Sequence, residues 1–141
     1  MKKRLFTIVA SIMLVLSLSA CGIKAMTLQE IYQKDTKAYQ AFNSGLELLK
    51  AQNSANYSDI TIEFIGNTAV YNYTFRQALG SEYRSMFEST LENSFNSMAK
   101  AQVDSMRNDT KGLSSEPIVI IMHFNNPNGI EFYTFTYTEG Q

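Results

Sequence analysis

The sequence predicts an α+β fold, a two-layer sandwich in which a four-stranded antiparallel sheet carries helices on one face, in the order α-ββ-α-ββ. Two observations favour this fold class. Apolar residues recur at helical spacing in two separate regions, and each region is followed by a pair of strand-like segments joined by a glycine-containing turn. Sheet and helices of this kind bury their apolar faces against one another in two layers.

The first helical region begins at a capping box and continues past an acidic interruption. Thr27 can accept a hydrogen bond from the third residue of the helix, and Glu30 can reach back to the amide of Thr27. Asp35 either interrupts the helix or caps a new one. The residues that form its apolar face are Leu28, Ile31, Tyr32, Tyr39, Phe42, Leu46 and Leu49, and the polar stretch 52–56 ends the region.

Residues 59–75 predict the first β-hairpin. Ile60, Ile62 and Phe64 alternate with polar residues, and Gly66-Asn67 marks a tight turn. The second arm alternates again, with aromatic side chains at Tyr71, Tyr73 and Phe75. One side of this hairpin is therefore expected to be apolar and aromatic.

The second helix and the second hairpin complete the pattern. Ser81 is the expected N-cap and Gly112 the expected stop, and between them lies a stripe of Tyr83, Phe87, Leu91, Phe95, Met98, Gln102 and Met106. The segment 117–124 (PIVIIMHF) reads as a central strand because it barely alternates. The pair Asn128-Gly129 predicts the hairpin turn that follows. YNYTF at 71–75 and YTFTY at 133–137 share one pattern, which leaves open either an internal duplication or a coincidence of two-residue periodicity.

Two segments carry a resemblance to a known family. These are residues 27–32 (TLQEIY) and, above all, residues 60–75 (ITIEFIGNTAVYNYTF). They resemble the uncharacterised lipoprotein domain family numbered 4854 among domains of unknown function, and the match extends over most of residues 27–138. The resemblance implies a small, single, lipid-anchored domain. It implies no activity and supplies no catalytic residues.

The N-terminus has the layout of a secretory signal. A basic start precedes an uncharged run from Leu5 to Leu18, which is shorter than the about 20 residues that a membrane-spanning helix needs. Leu18-Ser19-Ala20-Cys21 then resembles the lipobox of bacterial lipoproteins. This implies cleavage before Cys21, the only cysteine, and a diacylglycerol on its sulfur. The alternative is an ordinary signal peptide with an accidental cysteine.

The lipobox sets the expected organisation. Residues 1–20 would be a removed signal peptide, residues 21–26 a short tether, and residues 27–141 one domain on the outer face of the bacterial cytoplasmic membrane. Two acyl chains on Cys21 would hold the protein to the membrane stably, because one chain alone binds only marginally.

Charge and motifs exclude several function classes. The formal net charge is −1 and no basic run occurs after the basic start of the signal peptide, which argues against a nucleic-acid partner. No phosphate-binding loop or nucleophile elbow occurs, so we expect no cofactor and no metal. The single His123 reads as a structural strand residue. The remaining carboxylates read as solvated side chains: Glu63, Glu131, Glu82, Glu88 and Glu92.

The aromatic rows are the one feature that suggests binding. Tyr71, Tyr73, Tyr133 and Tyr137 would either pack under the helices or form an exposed platform for a sugar or a peptide. We therefore expect a non-enzymatic binding module whose protein or cell-wall partner is unknown. The alternatives are an envelope-acting enzyme that uses carboxylates and a protective or inhibitory surface protein.

Overall fold

An open, mixed four-stranded sheet and three helices form the α+β fold of the chain. The computed structural model describes residues 25–109 and 113–141. Its regular elements are α1 (Leu28–Lys34), α2 (Thr36–Asn53), β1 (Tyr57–Ile65), β2 (Thr68–Phe75), α3 (Glu92–Asp109), β3 (Val119–Asn125) and β4 (Glu131–Thr138). Three short turns lead into α3: a 3₁₀ turn (Ser81–Tyr83), one α-helical turn (Arg84–Met86) and a π-helical turn (Phe87–Leu91). The expected stop at Gly112 lies outside the described residues.

Local hydrogen bonds form the first two helices as expected. The Thr27 hydroxyl accepts from the Glu30 amide at 3.2 Å, and the Glu30 carboxylate accepts from the Thr27 amide at 2.9 Å. The Asp35 carboxylate accepts from the amides of Lys37 and Ala38 at 2.9 and 3.0 Å. The capping box is therefore confirmed, and Asp35 both ends α1 and caps α2.

The prediction of an antiparallel sheet is wrong for its central pair of strands. The strand order is β1-β2-β3-β4, and the two outer pairs are antiparallel hairpins, but β2 and β3 run parallel. The 18 residues of α3 span about 27 Å and the 8 residues of β2 about 26 Å. The helix therefore returns the chain to the end of the sheet where β2 began, so β3 starts beside the start of β2.

This arrangement disfavours an internal duplication. Because β1 opposes β2 and β2 is parallel to β3, the first strands of the two hairpins run in opposite directions. Superposing one hairpin on the other within the sheet would therefore exchange its two faces. The aromatic rows of β2 and β4 nevertheless face the same side, where Tyr73 and Tyr133 both contact Phe124. Strand periodicity on one buried face accounts for the similarity of the two segments without a duplication.

The core lies between one face of the sheet and the helices. β3 is an inner strand, as expected, and its buried residues Ile120, Met122 and Phe124 alternate with half-buried ones. They pack with Phe95 and Val103 of α3. The opposite face of the sheet carries no helix among the described residues.

Asn67 joins three segments at the end of the sheet where β2 begins, which we call the Asn67 end. Its side-chain oxygen accepts from the Leu28 amide at 3.0 Å. Its amide nitrogen donates to the Ser114 hydroxyl at 2.8 Å and to the Glu116 carbonyl at 3.0 Å. Only 8% of Asn67 is exposed. The hairpin turn thus holds both the start of α1 and the chain segment that leads into β3.

A bidentate ion pair secures the same segment from the other side. The guanidinium of Arg107 donates to both carboxylate oxygens of Glu139, at 2.9 and 2.6 Å, and also to the carbonyls of Ser114 and Glu116. The Ile118 amide donates to the Glu139 carboxylate at 2.9 Å. These contacts fix the C-terminal residues against the entry to β3.

Candidate functional site

An apolar cleft opens at the opposite end of the sheet, where β2 finishes, which we call the Phe75 end. It encloses about 190 Å³. Four chain segments line it: the junction after α2, the end of β2, the loop that follows β2, and the succession of short helical turns that leads into α3. The lining residues are Ala55, Asn56, Phe75, Arg76, Gln77, Leu79, Tyr83, Met86, Phe87, Thr90 and Leu91.

The π-helical turn supplies the floor of the cleft. Phe87 and Leu91 stand at its two ends, and both are buried. The Phe87 ring meets the Phe75 ring edge-on, with ring centroids 6.2 Å apart. Because a π-helical turn is rare and often occurs at functional sites, its presence beside the cleft marks this region as a candidate site.

The sequence contains a signal for the π-helical turn that the prediction of an α-helix does not use. The signal is the spacing of the apolar stripe on this helical segment. Tyr83, Phe87, Leu91 and Phe95 follow one another at intervals of four residues. An α-helix has about 3.6 residues per turn, so repeated steps of four favour a locally wider helix. The stripe predicts an ordinary α-helix at these positions, and the structure corrects that prediction for residues 87–91.

Hydrogen bonds hold the rim of the cleft. The Leu79 amide donates to the Asn126 side-chain oxygen at 2.9 Å, and the Asn126 amide group donates back to the Leu79 carbonyl at 3.4 Å. Across the opening, the Arg76 backbone amide donates to the Asn56 carbonyl at 2.9 Å, and its Nε donates to the Ser54 carbonyl at 2.9 Å. The loop after β2 is therefore fixed to both neighbouring segments.

The size and lining of the cleft suit one apolar group. An enclosed apolar cavity of about 150 Å³ is large enough to bind benzene. The cleft is slightly larger and has an apolar floor with polar groups at its mouth, where Asn56, Arg76 and Gln77 lie. This is the usual composition of a small-molecule site, in which a few polar groups orient an apolar ligand.

The tyrosines considered as an exposed platform lie elsewhere, in the core. Tyr71 and Tyr73 are 1% and 0% exposed, Tyr133 is 8% exposed and Tyr137 is partly buried against the core. Burial raises the pKa of Tyr71 and of Tyr73 well above the ordinary tyrosine value. The structure corrects the platform interpretation, because α3 and α2 cover the face of the sheet on which these rings stand.

A second, shallower groove of about 420 Å³ runs between α1, α2 and β1. Its aromatic wall is the cluster of Tyr32, Phe42 and Phe64, in which Tyr32 stacks on Phe64 with ring centroids 4.1 Å apart. Tyr39 stands at its edge and is 52% exposed. The three clustered rings pack mainly against one another, so the groove offers less free apolar surface than the cleft.

His123 has partners that the sequence did not reveal. It lies on the uncovered face of β3, where its Nδ1 is 3.0 Å from a Glu131 carboxylate oxygen and 2.9 Å from the Thr134 hydroxyl. The Glu131 carboxylate also accepts a hydrogen bond from Thr134, and this bond, more than the one with His123, holds the pKa of Glu131 below its usual value. Neither the cleft nor the groove includes these residues.

The other acidic residues are dispersed over the described surface. Glu63, at the second groove, and Glu82, Glu88 and Glu92, on the helical segment, are exposed. Glu88 pairs with Arg84 at 3.1 Å. Within residues 25–109 and 113–141, no group of three or more histidine, cysteine, aspartate or glutamate side chains is placed to hold a metal ion.

The expected lipobox lies outside the described residues of the structure. Its residues are Leu18, Ser19, Ala20 and Cys21. In the part of the chain that is described, no helix has the length and apolar character needed to cross a membrane.

Comparison with known proteins identifies the domain. A model of the family described as "Domain of unknown function (DUF4854)" matches residues 28–137. Neither the curated proteins nor the solved structures include a match to this chain. The family match covers all the helices and nearly all of the sheet, as the resemblance of residues 27–32 and 60–75 implied. The chain belongs to the DUF4854 family.

Proposed function

We propose that the protein is a lipid-anchored binding module of the cell envelope, and that it captures an apolar ligand group in the cleft at the Phe75 end. The observation that carries this proposal is the cleft itself. It is about 190 Å³ in volume, has an apolar floor and is bordered by a π-helical turn. The residues that line the cleft can bind a ligand without catalysing a reaction.

The direction of the chain supports a role at the membrane surface. Residues 25–28 enter the fold at the Asn67 end, where the Ser114 amide donates to the Met26 carbonyl at 2.8 Å. The cleft lies at the other end of β2, about 26 Å away along its 8 residues. A tether at Cys21 would therefore leave the cleft pointing away from the lipid surface.

An enzyme is the second candidate, and the contact between His123 and Glu131 is the one observation that favours it. A histidine held by a carboxylate can act as a general base. However, the pair lies on an open sheet face outside both the cleft and the groove, so no enclosure would exclude water from a reaction there. Binding is therefore the better supported function. A surface inhibitor would be one form of such a module.

Photo-crosslinking in intact cells tests the binding site. Tyr83 lines the cleft and is 40% exposed, whereas Tyr39 lies on the far side and is 52% exposed. Replacing each in turn with p-benzoylphenylalanine places the same photoreactive group at two similarly exposed positions. We expect a discrete adduct by mass spectrometry at position 83 only, and its loss when Thr90→Trp fills the cleft.

The matched control for the filling variant is Ser97→Trp, on an exposed position of α3 outside the cleft. It should leave the adduct at position 83 intact. The same adducts at positions 83 and 39, or an adduct that Thr90→Trp does not remove, would refute the cleft as the binding site.

The anchor has its own test, which is independent of the cleft. Cys21→Ser removes the sulfur that would receive the lipid, so the precursor should stay unprocessed and carry no label from a radioactive fatty acid. A variant that is cleaved and labelled like the parent protein would contradict the lipobox assignment.

A further inference from the structure

We infer that the cleft selects a small carboxylate with an apolar tail, and that Arg76 binds its carboxylate group. This inference rests on the proposed binding function and names the chemical class of the ligand. Its basis is the position and the unused hydrogen-bonding capacity of one arginine.

Arg76 is the only charged side chain among the residues that line the cleft. The two other described arginines are neutralised, because Arg84 pairs with Glu88 and Arg107 with Glu139. Arg76 forms no ion pair with any carboxylate in the described part of the chain. The mouth of the cleft therefore has a positive charge without a negative partner, and an anionic ligand complements it.

A hydrogen bond holds the guanidinium of Arg76 in place and leaves its other hydrogen-bond donors available. Its Nε donates to the Ser54 carbonyl, and its backbone amide donates to the Asn56 carbonyl, each at 2.9 Å. Its two terminal nitrogens have no hydrogen-bond partner among the described residues. A carboxylate can accept two parallel hydrogen bonds from a guanidinium, and a fixed guanidinium loses less entropy when it binds.

The volume of the cleft limits the tail of this ligand. About 190 Å³ admits a single aromatic ring or a branched alkyl group, by comparison with the about 150 Å³ cavity that binds benzene. The floor of Phe75, Phe87 and Leu91 would contact the tail, while the carboxylate stays at the mouth near Arg76. The simplest ligand that meets both conditions is an arylalkyl carboxylate.

Two matched probes distinguish the contribution of the carboxylate to the binding affinity from that of the apolar tail. 3-Phenylpropionate and 3-phenylpropan-1-ol share the ring and the linker and differ in the carboxylate. The full-length chain in lipid nanodiscs is labelled with ¹³C at the methionine methyl groups. Met86 lines the cleft, and Met122, buried beneath α3, serves as the reference signal. We expect both probes to shift the Met86 signal, with the acid binding about threefold to fivefold more tightly, as for an exposed ion pair.

Three substitutions test whether Arg76 causes the preference for the acid over the alcohol. Arg76→Gln should reduce the acid to the affinity of the alcohol and leave the alcohol unaffected, and Arg76→Lys should restore part of the preference. Arg84→Gln is the matched control, because Arg84 is a nearby exposed arginine that does not line the cleft. It should change neither affinity.

The outcomes distinguish this inference from the function on which it rests. If acid and alcohol bind the parent protein equally, the carboxylate inference is wrong and the apolar cleft stands. If neither probe shifts Met86, the cleft itself fails as a ligand site. A short peptide with C-terminal phenylalanine is compared as its free acid and its amide. Tighter binding of the peptide acid than of 3-phenylpropionate would overturn the assignment to a small molecule.

Discussion

Replacing Asn67 with alanine tests the claim that the hairpin turn holds the fold together. The substitution removes three hydrogen bonds, of which the one from the Leu28 amide is buried. A buried amide left without a partner costs about 1–3 kcal/mol, and each of the two part-exposed bonds from the Asn67 amide nitrogen contributes about 0.5–1 kcal/mol. We expect the free energy of unfolding to fall by about 2–5 kcal/mol, a large fraction of the about 5–15 kcal/mol typical of a domain.

Urea unfolding of residues 25–141, followed by far-ultraviolet circular dichroism, measures this loss. With a slope of about 2 kcal/mol per molar urea, the middle of the usual range, the midpoint should fall by about 1–2.5 M. Asn67→Asp keeps the oxygen that accepts from Leu28 but sets an acceptor against the Glu116 carbonyl, so it should also destabilise the fold. Asn96→Ala, at an exposed position of α3, is the matched control and should stay within about 0.5 kcal/mol of the parent. A loss in Asn67→Ala as small as in that control would refute the reasoning.

Three further variants test separate parts of the fold by the same urea assay. Gly66 has φ 57° and open space around the position of a Cβ atom, so Gly66→Ala should cost about 1–2 kcal/mol from backbone strain alone. The buried Tyr73 hydroxyl has no hydrogen-bond partner among the described residues, so Tyr73→Phe should leave stability unchanged or raise it by up to about 1 kcal/mol, and a clear loss would contradict this. The hydrogen bonds from Arg107 hold the pKa of Glu139 below its ordinary value, so its carboxylate contributes its full stabilisation above the pKa of the unfolded chain and loses it as the pH falls through the lowered pKa. Glu139→Gln should therefore be less stable at pH 7 and should lose less stability on acidification; an unchanged pH dependence would argue against the ion pair.

Features that depend on neighbours in sequence were predictable. The capping box at Thr27 and the second cap at Asp35 each need partners within three residues, and both are present as expected. The two hairpins and the helix between them follow from alternation, turn residues and helical spacing. Each of these signals is local, so composition and periodicity suffice to detect it.

Features that depend on distant residues were not predictable in the same way. The partners of Asn67 lie 39, 47 and 49 positions away, and alternation identifies only the turn, not what its side chain binds. The cleft combines residues from four segments, among them Ala55, Phe75 and Thr90. The platform interpretation of the tyrosines was wrong because periodicity shows that such rings share a face without showing which face the helices cover.

The parallel pairing of β2 with β3 also has a consequence for the order in which the protein folds. Each hairpin pairs two strands that are neighbours in the chain. The pairing of β2 with β3, which we call the seam, joins residues such as Thr68 and Val119, which are separated by the whole helical segment. Contacts between distant residues form slowly, because the intervening loop must close before they contribute. We expect the hairpins to form early and the seam to close last, once α3 has crossed the sheet. Until then, the edges of β2 and β3 that later pair would be exposed to other chains. A partly folded protein would therefore be most prone to aggregation at these two strand edges, which lie at the centre of the finished sheet.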